Sequence, residues 1–176
     1  VSALDCPMNA LPENTIPLPH LNDEQIRPWL LPPMRARLNS STSQFSDELR
    51  TAVALFLGFD FPDYDTDDAD GKLDRFIRQA QAILRRHEGH LLQLSIGEKK
   101  GDYFYASFGA LKAHEDDASR AVVAALELQA LCAETDFIPA AHIGISKGLM
   151  FTGAYGSSSR CTFGSLGTQV NIAARL

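Results

Sequence analysis

The stretch Thr51–Phe59 is a continuous apolar run of strand length. Such a run suits a central strand buried on both faces, so the rest of the chain must supply its cover. Lys72–Glu88 carries Leu73, Phe76, Ile77, Ala80 and Leu84 at helical spacing, and Gly89 follows as a helix stop. Asp116–Cys132 reads as a second helix, with Ala121, Val122, Ala125 and Leu128 on one face. Leu91–Ile96 and Tyr103–Phe108 read as strands joined by a tight Gly97–Gly101 turn. Ile138–Ser146 and Leu149–Gly153 read as two more, and a last helix carries Val170–Leu176. The order is β-α-β-β-α-β with an extra hairpin strand and helix: an α+β chain on the ferredoxin-like plan.

The 176 residues suffice for one domain with a real core plus a tail. Residues 1–47 read as the tail. Pro7, Pro12, Pro17 and Pro19 make its start a linker or extended arm. Residues 22–39 suggest two short helical pieces broken by Pro32-Pro33, with Trp29, Leu30, Leu31, Met34 and Leu38 to pack on the domain or a partner. Residues 48–176 form the domain. A net charge of −6 argues against a general nucleic-acid binder. No apolar run approaches the roughly 18–20 residues of a membrane span, and no secretory signal is visible. Cys6, Cys132 and Cys161 lack metal-type spacing and read as reduced thiols of a cytoplasmic protein. Because the chain stops one residue after Arg175, inside an expected helix, a fragment of a longer polypeptide is expected, with further strands beyond Leu176.

The most informative run for function is Val170-Asn171-Ile172-Ala173-Ala174-Arg175-Leu176. On a helix, Asn171 and Arg175 project from one face, among small or apolar neighbours. Arg160–Gln169 is a turn-rich approach to it. This run resembles the signature of the class III nucleotidyl cyclases. Arg50–Leu57, Phe104–Gly109, Ala113–Ala121, His142–Gly148 and Gly153–Gly156 resemble further pieces of that family, in its order.

The resemblance implies a chemistry: the ribose 3′-oxygen joins the α-phosphorus and pyrophosphate leaves. It implies that Asn171 orients the ribose and Arg175 stabilises charge on the phosphates. It also implies a pair of Mg²⁺ or Mn²⁺ ions held by two aspartates, and here the sequence departs. Gly58 stands at the first aspartate position, leaving Asp60, of the same strand parity, as a weak substitute. Asp102 falls on the second, with Glu98 at a purine-selecting position. Alternatively, Lys100-Gly101-Asp102-Tyr103 resembles a Lys-Gly-Ser-Tyr-type turn of the metal-free half of soluble adenylyl cyclase-like proteins, where the lysine contacts adenine. We favour the second reading, because Gly58 has already removed one metal ligand. Gly164 stands where the family often has a base-selecting side chain. Thr168 stands where an aspartate usually begins the helix, and would serve as its N-cap.

The expected partner is therefore a second cyclase domain, in the same or another chain, that brings most of the metal site. The substrate is ATP, with GTP left open, and the product cyclic AMP. Lys100, Gly164 and Thr168 are the expected substrate-binding residues, and Asn171 and Arg175 the catalytic ones. Two rivals stand beside this reading: a non-catalytic regulatory or dimerisation module, and an active homodimer using Asp60 and Asp102 for metals. An EF-hand reading of Asp63–Gly71 fails, because Ile77 falls where a bidentate glutamate is needed. The stretch reads instead as a solvated acidic loop and helix start.

Overall fold

The strand expected at Thr51–Phe59 extends over Glu48–Phe59 (β1) and lies at the centre of a five-stranded antiparallel sheet. The computed structural model describes residues 22–30, 48–61, 65–97, 101–156 and 161–176. β2 (His90–Ser95), β3 (Asp102–Phe108), β4 (Ala141–Gly156) and β5 (Cys161–Leu166) complete the sheet in the order β2-β3-β1-β4-β5. The first four strands keep the ferredoxin-like arrangement, with β5 added at one edge.

Alternation along β1 sends its side chains to two separate cores. Val53, Leu55, Leu57 and Phe59 face two helices, α2 (Ala69–Arg86) and α3 (Asp117–Ala133). There they meet Phe76, Ala80 and Leu84 of α2 and Ala121, Ala124 and Leu128 of α3. Phe76 is fully buried and stands edge-on to Phe59, with ring centroids 5.1 Å apart. Burying a side chain of that size contributes roughly 2–3 kcal/mol. On the opposite face Ala52 and Ala54 join Tyr105, Met150 and Ala173 in a smaller core, with Phe56 against it.

α2 begins at Ala69, earlier than the apolar stripe indicates, and runs through Gly71, where open space surrounds the backbone. Its end also differs from expectation. The N–H of Gly89 donates to Leu84 O and that of Glu88 to Arg85 O, a Schellman closure. The left-handed residue is Glu88, at φ 59°, and not Gly89. Gly89 has another reason to be glycine: a Cβ there would lie 2.5 Å from the Phe108 ring. The Glu88 carboxylate bridges to the approach to α3, 2.6 Å from His114 Nε2 and 3.3 Å from Lys112 Nζ. His114 in turn donates its backbone N–H to the buried Asp117.

Two strands expected at Ile138–Ser146 and Leu149–Gly153 are one, β4. Lys147-Gly148 reads as a break, yet Gly148 pairs with Ala52 inside the ladder. Glycine is needed there because a Cβ would lie 2.8 Å from the Gln169 side chain. The extra hairpin strand is β5, within the stretch taken as a turn-rich approach.

Upstream, Asp23–Ile26 (α1) continues into a 3₁₀ turn, Arg27–Trp29. Asn22 and Gln25 cap it reciprocally, each side-chain oxygen accepting the other's backbone N–H at 2.9 Å. The proline-rich arm and Pro32-Pro33 lie outside the described residues. No described helix is long and apolar enough to cross a membrane.

Two predictions follow from the packing. Gly89→Ala must move the Phe108 ring and should lower unfolding free energy by roughly 1–3 kcal/mol in urea titration. The Cys132 thiol is buried and pushed up to about 11 by that burial. In a Cys6→Ser/Cys161→Ser background it should resist alkylation at pH 8 in native buffer and react promptly in denaturant.

Candidate functional site

The short helix Thr168–Ala173 (α4) crosses the sheet face opposite α2 and α3, packing on β4 and β1. Small residues permit the close approach. A Cβ on Gly144 would collide with the carbonyl oxygen of Ala173 and lie 3.1 Å from Leu176 Cβ. The Ser146 hydroxyl donates to Gln169 Oε1, fixing the other end of the helix. The N-cap is Gly167, at φ 152°, so Thr168 is the first helical residue and not the expected cap. The helix also ends sooner than expected. Ala174 is its C-cap, and Arg175 lies in the following turn, its N–H donating to Ile172 O at 3.0 Å.

Asn171 and Arg175 nonetheless line one cleft, of about 540 Å³. Its other polar walls are Asp60, Asp102 and His142, and Gly58 lies on its floor. Thus the ends of β1, β3 and β4 and the end of α4 converge, although they are far apart in the chain. Lys100 and Glu98 lie outside the described residues. Thr168 lines neither this cleft nor the smaller pocket beside it.

Asp102 is 6% exposed, and each of its oxygens accepts a backbone N–H. Oδ1 takes that of Gly97 at 2.8 Å and Oδ2 that of Phe61 at 3.2 Å. The carboxylate therefore ties the β2–β3 hairpin to the segment leaving β1. Asp60 is exposed, and its backbone N–H donates to Ala140 O at 3.1 Å. Among the described residues no three His, Cys, Asp or Glu side chains come together as a metal site. With glycine at 58 and Asp102 committed to backbone, these residues do not fit a pair of divalent ions.

Gly164 belongs to a separate pocket of about 140 Å³. A Cβ on it would lie 2.8 Å from the Tyr155 ring, so that ring covers the position from which a base-selecting side chain would project. Phe56 and Tyr105 stack on another wall, centroids 4.7 Å apart and 12° from parallel. Burial pushes the Tyr105 phenol up, opposed by the neighbouring Ser165 and Ser107 hydroxyls. Yet Tyr105 Oη and Ser165 Oγ have no hydrogen-bond partner of good geometry, although the two residues are 5% and 3% exposed. Buried hydroxyls in that condition are uncommon.

Sequence reasoning missed His142, Tyr105 and Ser165. Nothing within the family-like runs singles them out; the cross-strand pairs Gly58↔His142, Phe56↔Tyr105 and Thr152↔Ser165 place them at the two pockets.

The fold has known counterparts. The guanylyl cyclase Cya2 superposes with a TM-score of 0.64 at 23% identity, over 73% of this chain and 70% of that one. The guanylate cyclase domain of RhGC from Catenaria anguillulae, determined in complex with GTP, gives 0.61 at 23%, over 71% and 70%. The adenylyl cyclase CyaB from P. aeruginosa gives 0.60 at 18%, over 73% and 71%. The described residues thus have the fold of class III adenylyl and guanylyl cyclase catalytic domains. In sequence, the chain is 24% identical over 140 residues to human adenylate cyclase type 10. That match covers 78% of this chain and 9% of that protein's length. No family model matches the chain.

If Asp102 is a tie and not a ligand, its loss should be felt without any metal. Asp102→Ala leaves two backbone N–H groups unpaired and should cost roughly 2–4 kcal/mol in urea titration, equally with Mg²⁺ and with EDTA.

Proposed function

We propose that this chain is one half of a composite nucleotidyl cyclase site that converts ATP into cyclic AMP and pyrophosphate. The observation that carries this reading is the single cleft lined by Asn171 and Arg175, with no side chain at 58 to hold a metal. In the reaction a bond forms between the ribose 3′-oxygen and the α-phosphorus. The bond from that phosphorus to the pyrophosphate oxygen breaks, and the 3′-hydroxyl proton is released. Asn171 offers an amide to the ribose. Arg175 offers a fixed cation to the negative charge that grows on the phosphates, where preorganised charge is most effective. Lys100 and Gly164 would meet the base, with Thr168 opening the helix that bears Asn171. A second cyclase domain, in the same or another chain, would supply the carboxylates for Mg²⁺ or Mn²⁺. The likeness to adenylate cyclase type 10 supports ATP over GTP.

A second reading, a cyclase-like regulatory or dimerisation module without turnover, is favoured by the same vacant residue 58 and committed Asp102. A homodimer relying on Asp60 and Asp102 for metals gains no support from this geometry.

The test is cyclase activity with ATP and with GTP, in Mn²⁺ or Mg²⁺, from this chain alone and joined to a metal-binding cyclase domain. Cyclic AMP from the joined protein only, falling about 10²–10³-fold in kcat with Arg175→Ala, is the expected result. Turnover by the chain alone would sink the composite site. A folded but inactive joined protein would favour the regulatory module.

A further inference from the structure

α3 differs from α2 in what it shows to water. Among the described residues α2 exposes no large apolar side chain, and its outer face carries Asp74, Arg75 and Arg78. α3 buries Ala121, Ala124, Ala125, Leu128 and Cys132. Yet Val122, Val123 and Leu126 stay exposed, Leu126 by 61%. The exposed Ser119, Ala130 and Ala133 extend that strip along the helix. A helix apolar on all sides is normally covered on all sides. Charge at the margins is acidic. Arg120 pairs with Asp116, and Arg86 with Glu127. Glu115, Glu134 and Asp136 add three exposed carboxylates at the two ends of the strip.

The same chain carries a second apolar surface, of opposite charge. Trp29, the single tryptophan, is 85% exposed at the end of the 3₁₀ turn. Leu30, Leu31, Met34 and Leu38 follow it in sequence, and Arg27–Leu38 holds three arginines and no carboxylate. The chain also brings this segment to the right place. A Cβ on Gly109 would meet both the Asp117 carboxylate and the Thr51 carbonyl oxygen, so the start of α3 lies beside the start of β1. The nine residues between Leu38 and Glu48 can span about 30 Å. The 17 residues of α3 are about 25 Å long, so the whole strip is within reach.

We infer that the segment Arg27–Leu38 docks on the outer face of α3, with Trp29 over Val122, Val123 and Leu126 and the arginines among the carboxylates. Three large side chains are too few for a free partner or a second copy, since a stable interface takes roughly 800 Å² and 20–30 residues a side. A tethered segment acts at an effective concentration on the order of millimolar and needs far less area.

The experiment is acrylamide quenching of Trp29 fluorescence in the 176-residue chain, at several protein concentrations. The expected result is a shielded, blue-shifted indole at every concentration. Leu126→Arg sets a cation against the arginines. It should raise the quenching constant about threefold, as the docked population falls from most molecules to few. Arg35→Glu combined with Arg37→Glu should raise it too, from the other side of the contact. Urea titration checks that each variant is folded; if Leu126→Arg is not, Val123→Ser decides. An indole as open in the native chain as in urea would overturn the proposal. Shielding that ignores the α3 variants would overturn it by placing Trp29 elsewhere. Shielding lost on dilution would overturn it by assigning the strip to a second copy.

Discussion

β1 is buried on both faces, and each layer of the structure is placed by how it covers one of them. On one side the residues are large: Val53, Leu55, Leu57 and Phe59 receive two long helices in an ordinary sheet–helix core. On the other, apart from Phe56, they shrink to Ala52, Ala54 and Gly58, and β4 sets Gly148 and Gly144 opposite Ala52 and Phe56, with Ser146 between them. A thick helical layer has nothing to grip there. A short helix lying almost on the backbone does, and α4 is that helix.

The asymmetry has a chemical consequence. Glycines along β1 and β4 remove the methyl groups that would hold α4 and His142 away from the sheet. The cleft is therefore walled by backbone and by the ends of polar side chains brought in from other elements. Its buried aspartate, Asp102, is consumed in joining two loops. What remains free to meet a ligand is mainly donor in character.

Much of this was legible in the chain, for physical reasons. The β1 run and the stripes of α2 and α3 are amphipathic or apolar over many residues, and burial alone dictates them. Asn171 and Arg175 are close in sequence, so one local element carries both to the cleft. β4 was misread as two strands because Lys147-Gly148 has the local chemistry of a turn. Its pairing with Ala52 and the bulk of Gln169 override that chemistry. Gly89 reads as a helix stop from sequence, and the structure adds a tertiary reason for glycine there, the Phe108 ring. His142 was invisible, since its relation to Gly58 exists only across a ladder between segments far apart in the chain.

The two bonds of Asp102 also couple motions. Its carboxylate spans the turn after β2, through Gly97, and the segment after β1, through Phe61. Displacing either loop alone would leave a buried negative charge half-paired, which is far costlier than shifting both together. The turn at Gly97 and the segment at Phe61, beside the strand end that floors the cleft, are therefore bound to move together.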